Sequence, residues 1–157
     1  MNSEMTAKSA SEPAEGVPRI SAYEALNTGF AALETVLGSA EGPDWARDAL
    51  QGLMLLEQGL TRHCEVSEEP GGSLDQIVAL KPSLVHATME LRGEHASLRT
   101  ETRRLREGLT ALSPDALDEN NATRRALNEL SAAVREHMER GADLLYNAYF
   151  QEEGGRG

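Results

Sequence analysis

The stretch PSLVHATMELRGEHASLRTETRRLREGLTAL, residues 82–112, repeats mostly apolar residues at steps of three and four. Residues at this spacing share one face of an α-helix, so the stretch predicts a single long amphipathic helix. Pro82 suits its first turn, where a missing N–H costs no intrahelical hydrogen bond. The face consists of Leu84, Thr88, Leu91, His95, Leu98, Thr102, Leu105, Leu109 and Leu112.

Three other segments show the same period and predict three further helices. The first covers residues 21–37, the second runs from Asp44 to the breaker EEPGG, and the fourth covers residues 121–151. Between the second and third lies SLDQIVAL, residues 73–80, with Ser73 as a candidate cap. We therefore expect an all-α protein, an antiparallel four-helix bundle with a short extra helix between the second and third helices.

Composition supports one helical domain. The chain has 157 residues, of which 39% are hydrophobic and only 4% aromatic, and Ala, Leu, Glu and Arg dominate. These residues lose little side-chain entropy in a helix. We assign residues 21–151 to the bundle, residues 1–20 to a disordered tail rich in Ser, Glu, Ala and Pro, and residues 152–157 to a flexible tail.

The charge balance argues against nucleic acid as a partner. Fifteen Lys and Arg stand against 26 Asp and Glu, a net charge of −11, which repels a polyanion. Four arginines between residues 99 and 106 are interleaved with glutamates, as on a solvated helix face. No apolar run reaches the roughly 20 residues that span a membrane. The single cysteine, Cys64, allows no intrachain disulfide, so we expect a cytoplasmic protein.

The four histidines are the candidate functional residues. His63, His95 and His137 fall on the apolar faces of three different predicted helices, whereas His86 should face solvent. An apolar face takes about three positions in seven, so chance places three histidines there roughly one time in twelve. Burying each ring without partners costs on the order of 1 to 3 kcal/mol. A shared metal ion would satisfy all three, and hydrogen bonds to carbonyls, carboxylates or water are the alternative.

Tyr146 and Tyr149 share a face of the fourth helix, three residues apart. We expect them to pack against the first helix, where Tyr23 and Phe30 lie.

The motifs around these histidines resemble one known family. HCEVSEEPGG in the second helix, PSLVHATMELRGEHASL in the third and RGADLLYNAY in the fourth are similar to a divergent bacterial branch of the hemerythrin-like (HHE cation-binding) proteins, over residues 21–151. The resemblance implies a four-helix bundle around a non-haem di-iron centre. It also implies a protein that binds dioxygen, senses oxygen or redox state, handles iron or repairs iron centres.

The resemblance implies that this chain retains three of the family's seven metal ligands. His63, His95 and His137 match the ligand histidines of the second, third and fourth helices, while Phe30 and Leu91 occupy positions of further family histidines. Neither bridging carboxylate matches in position. Two variants are then open, a single ion held by three histidines with water or a carboxylate completing the shell, and a site that has lost its metal. The carboxylates in question are Glu94, Glu68 and Asp143.

Two hypotheses follow. The first is a metal-binding or sensing protein, not a turnover enzyme, with iron in a mononuclear or dinuclear site, or zinc, as cofactor and dioxygen as an implied partner. The second is a metal-free bundle of the same ancestry that acts as a regulatory or interaction module, binding a protein partner or a second copy of itself. Its histidines would then be structural or would titrate as a switch.

Overall fold

The computed structural model describes residues 17–40, 42–112 and 117–150, and all regular structure within these ranges is helical. The predicted tails therefore lie outside the described residues, apart from 17–20. Four long helices and one short helix account for the described chain, with a 3-10 turn at Pro82–Leu84 before the third long helix. The helices are α1 (Val17–Leu37), α2 (Trp45–Glu68), α3 (Ser73–Leu80), α4 (Val85–Ala111) and α5 (Leu117–Phe150).

The predicted helices all occur, and two of them begin earlier than the sequence indicates. α1 begins at Val17 and not Ser21, because Pro18 is tolerated in a first turn. α5 begins at Leu117 and not Asn121. Asp and Asn at 118–121 suggested a turn, but the same residue types are common at helix starts. The short helix α3 has the predicted bounds, residues 73–80.

α1 and α2 pack at unusually close range because glycines replace side chains at three points of contact. A Cβ at each of these glycines would lie within 3.4 Å of backbone atoms of the opposite helix. Backbone atoms cannot rotate away, so these positions accept no larger residue without separating the helices. The facing residues are Gly29 with Leu55 and Leu56, Gly52 with Ala32 and Leu33, and Gly59 with Ala25 and Leu26.

Polar contacts also connect α2 with α4 and α1 with α5. Glu57 of α2 pairs with Arg106 of α4, and Glu34 of α1 accepts a hydrogen bond from Ser131 of α5. The buried apolar core lies between α1, α2, α4 and α5. Its fully buried members with the largest side chains include Leu26, Leu33, Leu53, Leu56, Leu60 and Leu127.

A second, smaller apolar cluster attaches α3 to the long helices. Leu74 and Ile77 of α3 are buried against Leu91 of α4, with Leu144 and Leu145 of α5 around them. Lys81, which follows α3, donates a hydrogen bond to the Asn147 side chain at 2.7 Å. The short helix is therefore fixed against the first part of α4 and the last part of α5.

The expected packing of Tyr146 and Tyr149 against α1 is wrong. Their exposures are 59% and 52%, and the Tyr149 hydroxyl instead donates to Gln76 of α3 at 3.2 Å. The insertion of α3 beside the end of α5 explains the difference, since it supplies a nearer polar partner. Within the described ranges, no helix has the length and apolar character that a membrane crossing requires.

Gly29→Ala should destabilise the fold. The added Cβ would lie 2.6 Å from the Leu55 carbonyl oxygen and the Leu56 Cα. Such overpacking costs about 1 to 3 kcal/mol, against a gain of about 1 kcal/mol in helix propensity. We expect urea unfolding to show that the free energy of unfolding falls by up to about 2 kcal/mol.

Gly108→Ala is the matched control, because a Cβ at this α4 glycine meets no atom within 4 Å. It should stabilise the protein by up to about 1 kcal/mol. Equal effects of the two substitutions would contradict the close α1–α2 contact.

Candidate metal centre

Three long helices each bring one histidine to the same place in the interior. His63 comes from α2, His95 from α4 and His137 from α5, and their exposures are 5%, 2% and 2%. One ligand nitrogen from each ring lies within 4.8 Å of the other two. The predicted convergence of these residues is therefore present in the structure, and their role as ligands stays a prediction.

The three rings form a compact triangle. The ring centroids of His95 and His137 are 4.7 Å apart, those of His63 and His95 5.2 Å, and those of His63 and His137 5.6 Å. Each pair meets edge to face, so the rings do not stack. This arrangement leaves the nitrogen atoms of different rings free to point at a common centre.

The nitrogen separations come close to those of a metal site. For three atoms within 4.8 Å of one another, some point lies no more than about 2.8 Å (4.8 divided by √3) from all three. Zinc–imidazole bonds measure about 2.0 to 2.1 Å. A shift of less than about 1 Å per ring would therefore complete a three-histidine site, a movement that side-chain rotation can supply.

A small cavity lies at the histidines. Its volume is about 20 Å³, and Tyr23, Ser67 and Met138 contribute to its walls beside the three rings. Buried cavities above about 10 to 15 Å³ can hold one water molecule. The space therefore suits one ion or one water and is too small for an organic ligand. Its remaining walls come from Ser73, Leu74, Ile77, Leu91, Gly141 and Leu145.

His137 has a carboxylate partner. Its Nδ1 lies 2.6 Å from Glu94 Oε2, and Arg140 donates to the other oxygen of Glu94 at 2.8 Å. An ionised carboxylate only accepts hydrogen bonds, so Nδ1 carries a proton and donates it to Glu94. A metal ion binds an imidazole in its neutral form, and in that form of His137 Nδ1 is the protonated nitrogen. Nε2 of His137 is then the nitrogen with a free lone pair.

The other two rings have unsatisfied nitrogens. Nδ1 of His63 and Nδ1 of His95 are buried without a hydrogen-bond partner. Glu68 Oε1 is 3.4 Å from Nδ1 of His95, near enough for an electrostatic contact but outside hydrogen-bond geometry. Buried polar atoms are normally paired, so these two nitrogens indicate that the site has a further partner.

Burial keeps two of the rings neutral at physiological pH. Desolvation, with a smaller contribution from His137, lowers the pKa of His63 to about 4. Desolvation and the neighbouring His137, His63, Arg92 and Arg99 lower the pKa of His95 to about 3. Neutral imidazole is the form that binds metal ions, so both rings are ready ligands at pH 7.

The three candidate carboxylates occupy different positions. Glu94 and Glu68 lie behind His137 and His95 respectively, each against the Nδ1 side of the ring. Asp143 is exposed and lines a separate surface groove with Glu94 and Arg140. Among the described residues, the group of mutually close ligand atoms contains the three histidines and none of these carboxylates. His86 is exposed, as expected, and pairs with Glu90.

Sequence reasoning missed part of the surroundings. The Tyr23 ring meets the His63 ring edge to face at 5.1 Å, and burial raises the pKa of its phenol. The sequence did offer one indication of this contact. Tyr23 lies on the apolar face of the first predicted helix, and His63 lies on that of the next helix. Nothing in the sequence indicated that α3 contributes to the cavity wall, because this contribution depends on how a short connecting helix packs against the long helices.

The metal-free protein should lose stability as the pH falls from 7.5 to 5. In this window the unfolded chain protonates His63 and His95 near pH 6.5, whereas the folded chain resists until about pH 4 and 3. The unfolded state then binds more protons than the folded state. At pH 5 each of the two histidines has therefore lowered the free energy of unfolding by about 2 kcal/mol. Urea unfolding of the protein in the presence of a chelator, at several pH values, measures this loss of stability.

His95→Gln should remove about half of that pH dependence, because glutamine does not titrate. His86→Gln is the control, since the His86 side chain is 83% exposed. Identical pH profiles for the two variants would contradict the burial of His95 as a neutral ring.

The comparisons with known proteins add no family to these observations. The sequence matches no protein-family model and no curated protein, and the fold matches no solved structure.

Proposed function

We propose that this chain is a hemerythrin-like metal-binding protein in which His63, His95 and His137 hold a transition-metal ion. The observation that carries the proposal is the convergence of three buried imidazoles, with one ligand nitrogen of each within 4.8 Å of the other two. We propose sensing of metal or redox state as its role, and the cavity of about 20 Å³ agrees with a site for one ion or one water.

The scaffold of the proposed site is an antiparallel four-helix bundle. The glycine contacts support this for α1 and α2, because residue numbers rise along one helix as they fall along the other. Contacts of α1 with α5 support the same relation, since Glu34 contacts Arg135 and Leu37 contacts Arg124. In such bundles, inward-facing side chains of neighbouring helices are the usual source of metal ligands.

The donor set favours an ion that accepts imidazole nitrogen. Zinc, iron, copper and nickel meet this requirement, whereas magnesium and calcium prefer oxygen. The family resemblance points to iron, and the three-histidine geometry equally suits zinc with water in a fourth position.

A metal-free interaction module is the second candidate, and one observation favours it. Glu94 already satisfies Nδ1 of His137, so one of the three rings has a protein partner without any ion. The unpartnered nitrogens of His63 and His95 weigh against this reading.

Metal content after reconstitution tests the proposal. We expect the chelator-treated protein, incubated anaerobically with Fe²⁺ or with Zn²⁺ and then desalted, to retain metal at about one ion per chain. His95→Ala should retain less than a tenth of this, because two imidazoles leave too few protein ligands.

His86→Ala serves as the matched control and should retain as much metal as the wild type, because His86 lies on the surface. Equal loss in both variants would contradict the assignment of His95 as a ligand, and no metal in the wild type with either ion would favour the metal-free module.

A further inference from the structure

Glu94 occupies the boundary between the buried histidines and the surface. The side chains of His137, Glu94 and Arg140 are 3%, 25% and 52% exposed, so the chain of contacts leads from the interior to solvent. Oε2 of Glu94 meets His137 at 2.6 Å and Oε1 meets Arg140 at 2.8 Å. Both carboxylate oxygens are therefore engaged, which fixes the orientation of Glu94.

This fixed carboxylate determines which nitrogen of His137 can bind an ion. A neutral imidazole has one N–H and one lone pair, and the Nδ1–H donates to Glu94. The lone pair on Nε2 is thereby directed away from Glu94. The contact with the carboxylate also makes the ring more basic and a stronger ligand.

The position of the carboxylates also bears on the charge and number of ions. Three neutral imidazoles bring no negative charge to a cation. Glu94 and Glu68 lie beside the ligand rings and not among the mutually close ligand atoms. Their two negative charges stand against the three positive charges of Arg140, Arg92 and Arg99, so the surroundings add no net negative charge. That balance of charge suits a divalent ion better than a trivalent one.

A pair of ions is a poor fit to the same site. Paired metal ions sit about 3.5 to 4 Å apart and need ligands on both sides. Here the group of close ligand atoms within the described chain is the histidine triplet, around a cavity of about 20 Å³.

We infer that Glu94, held by Arg140, is the positioning residue of a centre for a single divalent ion, acting through Nδ1 of His137. The inference rests on the proposed metal-binding function and goes beyond it in nuclearity, in ion charge and in the role of Glu94.

Titration with Co²⁺ tests the inference, because this ion substitutes for zinc or ferrous iron and reports its geometry by visible absorption. The wild type should bind one Co²⁺ per chain with the intense absorption of a four-coordinate ion. Glu94→Ala should bind 10 to 100 times more weakly, the usual loss when a histidine ligand loses its carboxylate partner. Glu94→Gln keeps an oxygen acceptor without the charge and should fall between the two.

Glu90→Ala is the matched control. Glu90 lies one turn before Glu94 on α4 and contacts the exposed His86 at 3.3 Å. The two form a glutamate–histidine pair that lies away from the three buried histidines. The loss of Glu90 should leave Co²⁺ affinity and spectrum unchanged. Thermal unfolding of the metal-free variants checks that each is folded during the titration. Glu94→Ala should unfold at a lower temperature than Glu90→Ala, because Nδ1 of the buried His137 loses its partner.

The outcomes separate the two claims. Wild-type affinity and spectrum in Glu94→Ala, or two Co²⁺ per wild-type chain, would overturn the inference and leave metal binding intact. No Co²⁺ bound by the wild type, or binding that survives His95→Ala, would overturn the proposed function and the inference with it.

Discussion

Three buried imidazole rings within about 6 Å of one another are the constraint on which the site depends. Each ring has two nitrogens that require a partner, and the structure provides a hydrogen bond for His137 alone among the three Nδ1 atoms. Because burial also keeps His63 and His95 neutral, their nitrogens are available as ligands and not as cations. We favour a metal ion as the shared partner because one ligand nitrogen of each ring lies within 4.8 Å of the other two.

The surrounding helices hold these rings close to one another. Glycines bring α1 and α2 into backbone contact, and this close approach brings Tyr23 of α1 against the His63 ring. The short helix α3 covers the cavity with Leu74 and Ile77 and is fixed by its contacts with α4 and α5. Cys64, directly after His63, is also buried, and burial with nearby glutamates raises the pKa of its thiol to about 12. The thiol is therefore protonated and stays a packing residue.

Periodicity predicted much of this from sequence. The apolar spacing gave the helices, their approximate bounds and the burial of His63, His95 and His137, because a single face of each helix can point inward. It could not predict the docking of α3, which depends on contacts distant in sequence, and so it misplaced Tyr146 and Tyr149. It named Glu94, Glu68 and Asp143 as alternatives to water for completing the shell, but it could not predict that Glu94 contacts His137 and Glu68 contacts His95. The side from which a carboxylate meets a ring is a property of three-dimensional packing.

The most direct test of the account is anomalous diffraction from crystals of the zinc-reconstituted protein, with data on both sides of the zinc edge. The account predicts one strong peak per chain, about 2.0 to 2.1 Å from one nitrogen each of His63, His95 and His137. Glu94 should remain hydrogen-bonded to Nδ1 of His137 and should not contact the ion. A peak on the surface alone, or no peak between the rings at full zinc occupancy in solution, would contradict the central claim.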